Sequence, residues 1–310
     1  MTQQGRVRRA LGSAVGLVVL GVFGWAVQHY WGWQKLFVPW TWVPVWLVAV
    51  VVVAQLASYS VRAYRIYHAE PEIPRGRWHD CLKLILLNNT ANLLLPARTG
   101  EASFPLLLNR WFGVGAAKGS GTLLWLRMLD LAVLAVLALA VLGRTLVPGI
   151  PIALLAGLCL AGVAAPLLAL PVHARVARGL TGRDGRIAGL VGKVLAGVPN
   201  RTRQVLVDIG LTWTAWGIKL AALAIVFAQL AGLSLPAALM GAIGGDLSTV
   251  LPVHAPGGFG TYEAGVVGLV ALVADAGPAL LAAAVNLHLL VLGIALMGGA
   301  YAWLTQPRRT

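Results

Sequence analysis

The side chains with chemistry to offer gather in two stretches of an otherwise apolar chain. The first runs from Asn88 to Arg110, NNTANLLLPARTGEASFPLLLNR, and carries Asn88, Asn89, Asn92, Pro96, Arg98, Gly100 and Glu101. The second runs from Asp246 to Gly265, DLSTVLPVHAPGGFGTYEAG, and carries Asp246, His254, Pro256, Gly257, Gly258, Gly260 and Glu263. Charges at bilayer depth cost roughly 2.5–3.5 kcal/mol each on insertion scales, so they persist only where protein or water shelters them. Proline and glycine interrupt the helix in both stretches. A broken helix exposes free N–H groups and partial positive charge at the new N-terminus, which suits an anion such as a phosphate.

Other residues add to that chemistry. Arg98 and Arg127 supply planar, bidentate donors for phosphate oxygens. The glycines of PGGFG let backbone approach a ligand closely. Glu101 and Glu263 could cap the new helices, neutralise the arginines or carry a proton. Arg127 and Asp130 are three apart and share a helix face, so they form an intrahelical ion pair or reach toward the first break. Lys219 lies midway along an apolar run, and its depth favours a polar cavity over snorkelling. Asn88, Asn89 and Asn92 satisfy broken backbone or contact substrate. His254, His288, Asp246 and Asp130 are scattered, and no HExxH or paired-aspartate metal motif occurs. Cys81 and Cys159 have no metal or redox spacing. No metal or other cofactor is expected.

The elements that must position these groups are membrane helices. Of 310 residues, 59% are hydrophobic and 11% charged, against about 25% charged in globular proteins. A soluble fold of this length could not bury so much apolar surface, so an all-α, polytopic integral membrane protein is expected. The 37 glycines fit close helix packing in lipid. The net charge of +14 does not point to nucleic acid, because the arginines sit in loops beside apolar spans. Positive-inside topology and anionic lipid account for them there.

Along the chain, Arg6, Arg8 and Arg9 precede an uncharged run too long for a signal-peptide core, which predicts a first span over Ala10–His29 with a cytoplasmic N-terminus. Trp31, Trp33, Trp40, Trp42 and Trp46 form an interfacial belt. A second span runs from Trp42 to about Val61, leaving Arg62, Tyr64, Arg65, Tyr67 and His68 at the cytoplasmic interface. Cys81–Leu95 and Ala102–Trp111 are each shorter than the ~20 residues a crossing needs, and predict a re-entrant hairpin. Further spans are expected over Gly119–Gly143, Ile152–Val172, Leu206–Leu230 and Pro278–Leu304. Leu235–Leu251 and a helix from about Tyr262 to Ala274 make a second hairpin, and the side of the C-terminus stays open. Between them, residues 173–204 are strongly basic. Ile187, Leu190, Val191, Val194, Leu195 and Val198 recur there at helical spacing, which fits either a connector or a helix lying on an anionic lipid surface. The reading is one membrane domain over 1–310 with about six to eight transmembrane helices. Repeat-like halves cover about 36–143 and 205–304, and the two broken hairpins form a weak inverted repeat.

The combination of NLLLPARTGE, the pair Arg127 and Asp130, and PGGFGTYEAG resembles the lysylphosphatidylglycerol synthase transmembrane family, a flippase-like membrane domain. The resemblance implies re-entrant helices and transbilayer movement of phospholipids, polyprenyl-linked sugars or hopanoid-type lipids. It carries over Asn88, Asn92, Pro96, Arg98, Gly100, Glu101, Arg127, Asp130, Pro256, Gly257, Gly258, Gly260 and Glu263. The aminoacyl-transferase domain of the fused synthases has no room in 310 residues, so aminoacylation is not expected. The expected function is translocation of an anionic lipid across the inner (plasma) membrane, without enzyme activity. A membrane enzyme acting on a lipid phosphate, or a subunit presenting lipid to a glycosyltransferase or lipid synthase, are the alternatives.

Overall fold

The computed structural model describes residues 32–95, 100–180, 185–250, 256–275, 277 and 279–307, with 21, 24, 25, 28 and 29. Pro96, Arg98 and His254 of the expected site, and most of the expected first span Ala10–His29, lie outside the described residues. Every regular element among the described residues is helical. After the short α1 (Trp33–Phe37) and a 3-10 turn (Val38–Thr41) come α2 (Val45–Ala69), α3 (Trp78–Leu94), α4 (Ser103–Phe112) and α5 (Ala116–Leu146). The second part holds α6 (Ile152–Ala164), α7 (Ala169–Leu180), α8 (Arg186–Leu195), α9 (Thr202–Ala231), α10 (Leu235–Val250), α11 (Thr261–Val270) and α12 (Ala279–Leu304).

Among the described residues, five stretches are long and apolar enough to cross a membrane: α2, α5, α6 with α7, α9 and α12. Pro166 sits in the 3-10 turn Ala165–Leu168 that joins α6 to α7. Its missing N–H and its clash with the preceding turn explain why the α-helical bonding tightens there. The outward faces stay apolar. Ile152, Leu154, Leu158 and Leu160 of α6 are exposed, as expected of side chains that face lipid rather than water. The chain is an integral membrane protein.

Two helix–break–helix pairs lie inside this frame. The α10–α11 pair runs antiparallel, and glycine makes the contact possible. A Cβ added at Gly244 would lie 2.1 Å from the carbonyl oxygen of Gly265, and one at Gly245 would meet the Tyr262 ring at 2.5 Å. The first break obeys the same rule: a Cβ at Gly100 would lie 2.3 Å from the backbone of Ala91. Each pair is then enclosed by long helices. α2 packs along α9, α3 lies between α2 and α12, and α10 packs against α9 and α5.

One expectation is corrected. The span expected to end near Val61 continues to Ala69, and Arg62 and Arg65 are buried within it instead of standing at an interface. The reason lies in their spacing: Gln55, Ser58, Tyr59, Arg62 and Arg65 fall on one helix face and turn inward together. Beyond that face, the end of α2 is tied to the start of α5. Lys118 pairs with Glu70 at 2.7 Å and with Glu72 at 2.6 Å, and Thr122 donates to Glu70. Burial pushes the Glu70 carboxyl up, opposed by Lys118, while the Lys118 hydrogen bond holds Glu72 down. The stripe expected over 187–198 forms α8 as far as Leu195, and Ile187, Leu190 and Val191 are exposed on it.

The glycine contact yields a test. Gly244→Val forces side-chain volume into backbone, and overpacking of this kind costs about 1–3 kcal/mol. Its Tm in detergent is expected to fall by several degrees. Gly268→Val, on the open side of α11 with nothing within 4 Å, is expected to melt like the parent.

Candidate functional site

The site is assembled around Asp130, which is 2% exposed in the middle of the helix bundle. A carboxylate there needs donors from several sides, and three elements supply them. Arg65 of α2 pairs with its Oδ1 at 3.1 Å, and the Trp216 indole of α9 donates to the same oxygen at 3.0 Å. Arg127, one turn back along α5, approaches Oδ2 at 3.6 Å. Arg127 also pairs with Glu101 at 3.1 Å, so the first break is linked to the hub. Of the two partners open to Arg127, Asp130 on its own helix and the first break, both are taken. Around the hub, Arg65 also donates to Thr212 at 2.5 Å, Thr212 to the Asp208 carbonyl at 2.6 Å, and Trp125 to the Asp208 carboxylate at 2.9 Å.

Two cavities open beside this network. The larger, of about 90 Å³, has Arg62, Arg127, Lys219 and Asp246 on its wall and Asn89, Asn92 and Thr249 as neutral hydrogen-bonding groups. The smaller, of about 30 Å³, is lined by Arg62, Arg65, Arg127, Asp130, Asn88 and Asn89 among others. Among the described residues, each wall carries three cations to one carboxylate. Lys219 and Asp246 pair at 2.5 Å, and the second oxygen of Asp246 is buried without a hydrogen-bond partner among the described residues.

Arg62 is the exception to the pairing. It is 8% exposed, and its Nε and Nη2 are buried with no hydrogen-bond partner among the described residues. Its guanidinium lies 4.4 Å from the centre of the Trp216 ring, a contact worth up to about 2 kcal/mol when desolvated. It faces both cavities. A planar cation held by its face and open at its edge is preorganised for an anion.

The second break sits apart from these walls. Gly257, Gly258 and Gly260 have φ of 69°, 78° and 82°, a region closed to most side chains. The Gly260 N–H donates to Glu263 Oε2 at 2.7 Å, so the α11 N-terminus is filled by its own carboxylate. Glu263 Oε1 lies 2.7 Å from His288 Nδ1 on α12. Among the expected site residues, then, Asn88, Asn92, Arg127, Asp130, Lys219 and Asp246 meet at the cavities, and Glu101 joins through Arg127. Gly257, Gly258, Gly260 and Glu263 lie elsewhere, at the second break. Pro256 opens the 3-10 turn there, and Gly100 allows the close approach of the first break to α3. Among the described residues, no three His, Cys, Asp or Glu side chains converge as a metal site.

The family model of the lysylphosphatidylglycerol synthase TM region matches residues 10–299, nearly the whole chain. The chain belongs to that family. No individual curated protein and no solved structure matches it. Membership ties the protein to lipid metabolism or lipid translocation.

In this member of the family, sequence reasoning passed over Arg62, Arg65, Asp208, Trp125 and Trp216 as site residues. The signal for the arginines was available in the helical spacing of Gln55, Ser58, Tyr59, Arg62 and Arg65. Trp125 and Trp216 carry none, because an indole in an apolar helix looks like core until its N–H is seen to have a partner.

Removing one member of a buried ion pair costs about 3–5 kcal/mol, because its partner stays charged and uncompensated. Asp130→Asn leaves Arg65 in that state, with Arg127 keeping only Glu101, so a large drop in Tm is expected. Asp80→Asn removes the partly exposed pair with Arg77 and is expected to cost less than about 1 kcal/mol. Thermal denaturation of both variants in one detergent checks the contrast.

Proposed function

We propose that the protein moves an anionic lipid across the membrane, holding the phosphate of the headgroup in the cation-lined cavities while the acyl or prenyl chains stay in the bilayer. The observation that carries this reading is Arg62: a buried guanidinium stacked on Trp216, open along its edge, and shared by both cavities. A phosphate crossing hydrocarbon must give up its hydration, and replacement donors lower that cost. Arg62, Arg127 and Lys219 supply charge, and Asn89, Asn92 and Thr249 supply neutral contacts. In this reading the cycle is transport without covalent chemistry.

The architecture supports the same reading. α3 and α10 have 17 and 16 residues, short of the ~20 needed to cross, and each is followed by a break and a return helix of 10 residues. Both pairs are therefore taken as re-entrant. With the expected first span, the crossings then number six. The same count turns the units Val45–Leu146 and Thr202–Leu304 in opposite senses, as an inverted repeat requires. Their contacts are reciprocal: α2 meets α9, α3 meets α12, and α10 meets α5. Arg62 and Lys219 each lie seventeen residues past the first residue of their helices.

Proteoliposomes carrying a fluorescent phosphatidylglycerol, with dithionite bleaching of the outer leaflet, test the proposal. The wild-type protein is expected to make the protected inner-leaflet probe accessible, and Arg62→Gln to slow this at least tenfold with an unchanged Tm. A rate equal to that of protein-free vesicles would overturn translocation. An unaffected Arg62→Gln would overturn the role given to this arginine.

A further inference from the structure

We infer that Glu263 and His288 form a proton-binding site whose occupancy rises with binding of the anionic headgroup; the link to transport rests on the translocation reading above. Both residues are buried, at 4% and 0% exposed, and their side chains meet at 2.7 Å between Nδ1 and Oε1. An ionised carboxylate only accepts hydrogen bonds. With Glu263 ionised and His288 neutral, Nδ1 carries the hydrogen toward Glu263 and Nε2 holds a lone pair. That Nε2 is buried with no hydrogen-bond partner among the described residues. The imidazole is stacked on Tyr262 at 4.4 Å between ring centres and tilted against Phe259 at 4.9 Å.

The pair thus has two states that differ by one proton. Without it, the pair carries net charge −1 inside an apolar bundle. A proton from hydronium that bonds to the Nε2 lone pair makes the imidazolium and brings the net charge to zero; on release the proton returns to water. Inside the bundle, each state is felt by nearby charges far more than in water.

A comparison between the two proposed repeat units sharpens the inference. In the first unit, the glutamate that follows the break, Glu101, pairs with a cation on the next long helix, Arg127. In the second unit, the glutamate after the break, Glu263, pairs with His288 on the next long helix. The two partners lie twenty-six and twenty-five positions further along the chain. Arginine is always charged, whereas histidine changes charge near neutral pH. One unit carries a fixed cation at this place and the other a titratable one.

The pair lies outside the wall of the larger cavity, one turn of α12 from it. His288, Val291 and Ala295 share a face of α12, and the last two line that cavity. Tyr262, stacked on His288, packs against Gly245, next to Asp246. Among the described residues, the charged and titratable groups near the pair are Tyr262 on α11, Asp246 on α10, and Lys219 of α9 paired to Asp246. α3 offers only neutral side chains from Asn88 to Leu94. An anion entering beside Lys219 adds negative charge near the pair and favours its protonation. By reciprocity the proton favours the anion. Headgroup and proton would then cross together.

Two measurements on the full chain decide this. The first needs no transport: 15N-histidine-labelled protein in detergent is titrated from pH 5 to 9, with His288→Gln identifying one resonance among six histidines. That resonance is expected to titrate within the range, to shift its midpoint upward when phosphatidylglycerol is added, and to move in the near-isosteric Glu263→Gln. A His288 signal constant across the range, or indifferent to the lipid, would overturn the inference. The second measurement imposes two units of pH difference on the proteoliposomes described above, with the membrane potential clamped. Movement from the acidic side is expected to be at least threefold faster, and Glu263→Gln and His288→Gln to flatten that response. Wild-type transport that ignores the gradient would overturn coupling while leaving translocation intact. No transport in any condition would overturn translocation, and the titration would still decide whether the pair is a proton site.

Discussion

The structure depends on one electrostatic constraint: a charge carried into the bilayer interior must meet its complement from another helix. Asp130 states that constraint most fully. Its carboxylate is reached from α2 by Arg65, from α9 by Trp216 and from its own helix by Arg127. None of these contacts is worth much alone, since the desolvation of each ion offsets most of the attraction. What they achieve is positional. Three long helices that lipid would let slide past one another are held at one depth, and Arg127 is fixed where it can also hold Glu101. The break is thereby placed by the same network that stabilises the bundle.

Glycine does the complementary work. In lipid no hydrophobic force drives helices together, so close backbone contact matters more than side-chain burial. The α10–α11 contact at Gly244 and Gly265, and the α5–α8 contact where a Cβ on Gly121 would lie 1.9 Å from the Val194 carbonyl oxygen, are both backbone on backbone. At the α12–α3 contact, Gly299 instead makes room for the Thr90 side chain, whose hydroxyl donates to the Ala295 carbonyl at 2.8 Å. Asn89 and Asn92 of α3, Asp246 and Thr249 of α10, and Val291 and Ala295 of α12 share the wall of one cavity.

Much of this was legible in the sequence. Polarity in the wrong place marked both breaks, and short apolar lengths set α3 and α10 apart from the longer helices. Lys219 was readable from depth alone, and it does line the larger cavity. The partnerships were not legible. Arg65 and Asp130 are sixty-five positions apart, and Lys219 and Asp246 stand on different helices. Helical periodicity says which face a residue occupies, not which helix that face meets. Arg62 and Arg65 were misplaced because a basic cluster closing an apolar run is the usual mark of a cytoplasmic interface. Only Gln55, Ser58 and Tyr59, on the same stripe one or two turns earlier, argue that the stripe is internal.

The excess of cations on the cavity walls follows from the same constraint. A bundle built only for stability would pair every buried charge, because an uncompensated ion weakens the fold. Around Asp130 that rule is kept: Arg65 and Arg127 are both answered. Arg62 breaks it, with aromatic stacking in place of a carboxylate. Stacking compensates the charge in part and leaves the N–H edge unused, so the site is tolerable when empty and favourable when an anion arrives. A carboxylate at the same place would have made it more stable and closed it. On the proposed reading, the unmatched arginine is the cost of leaving a phosphate somewhere to bind.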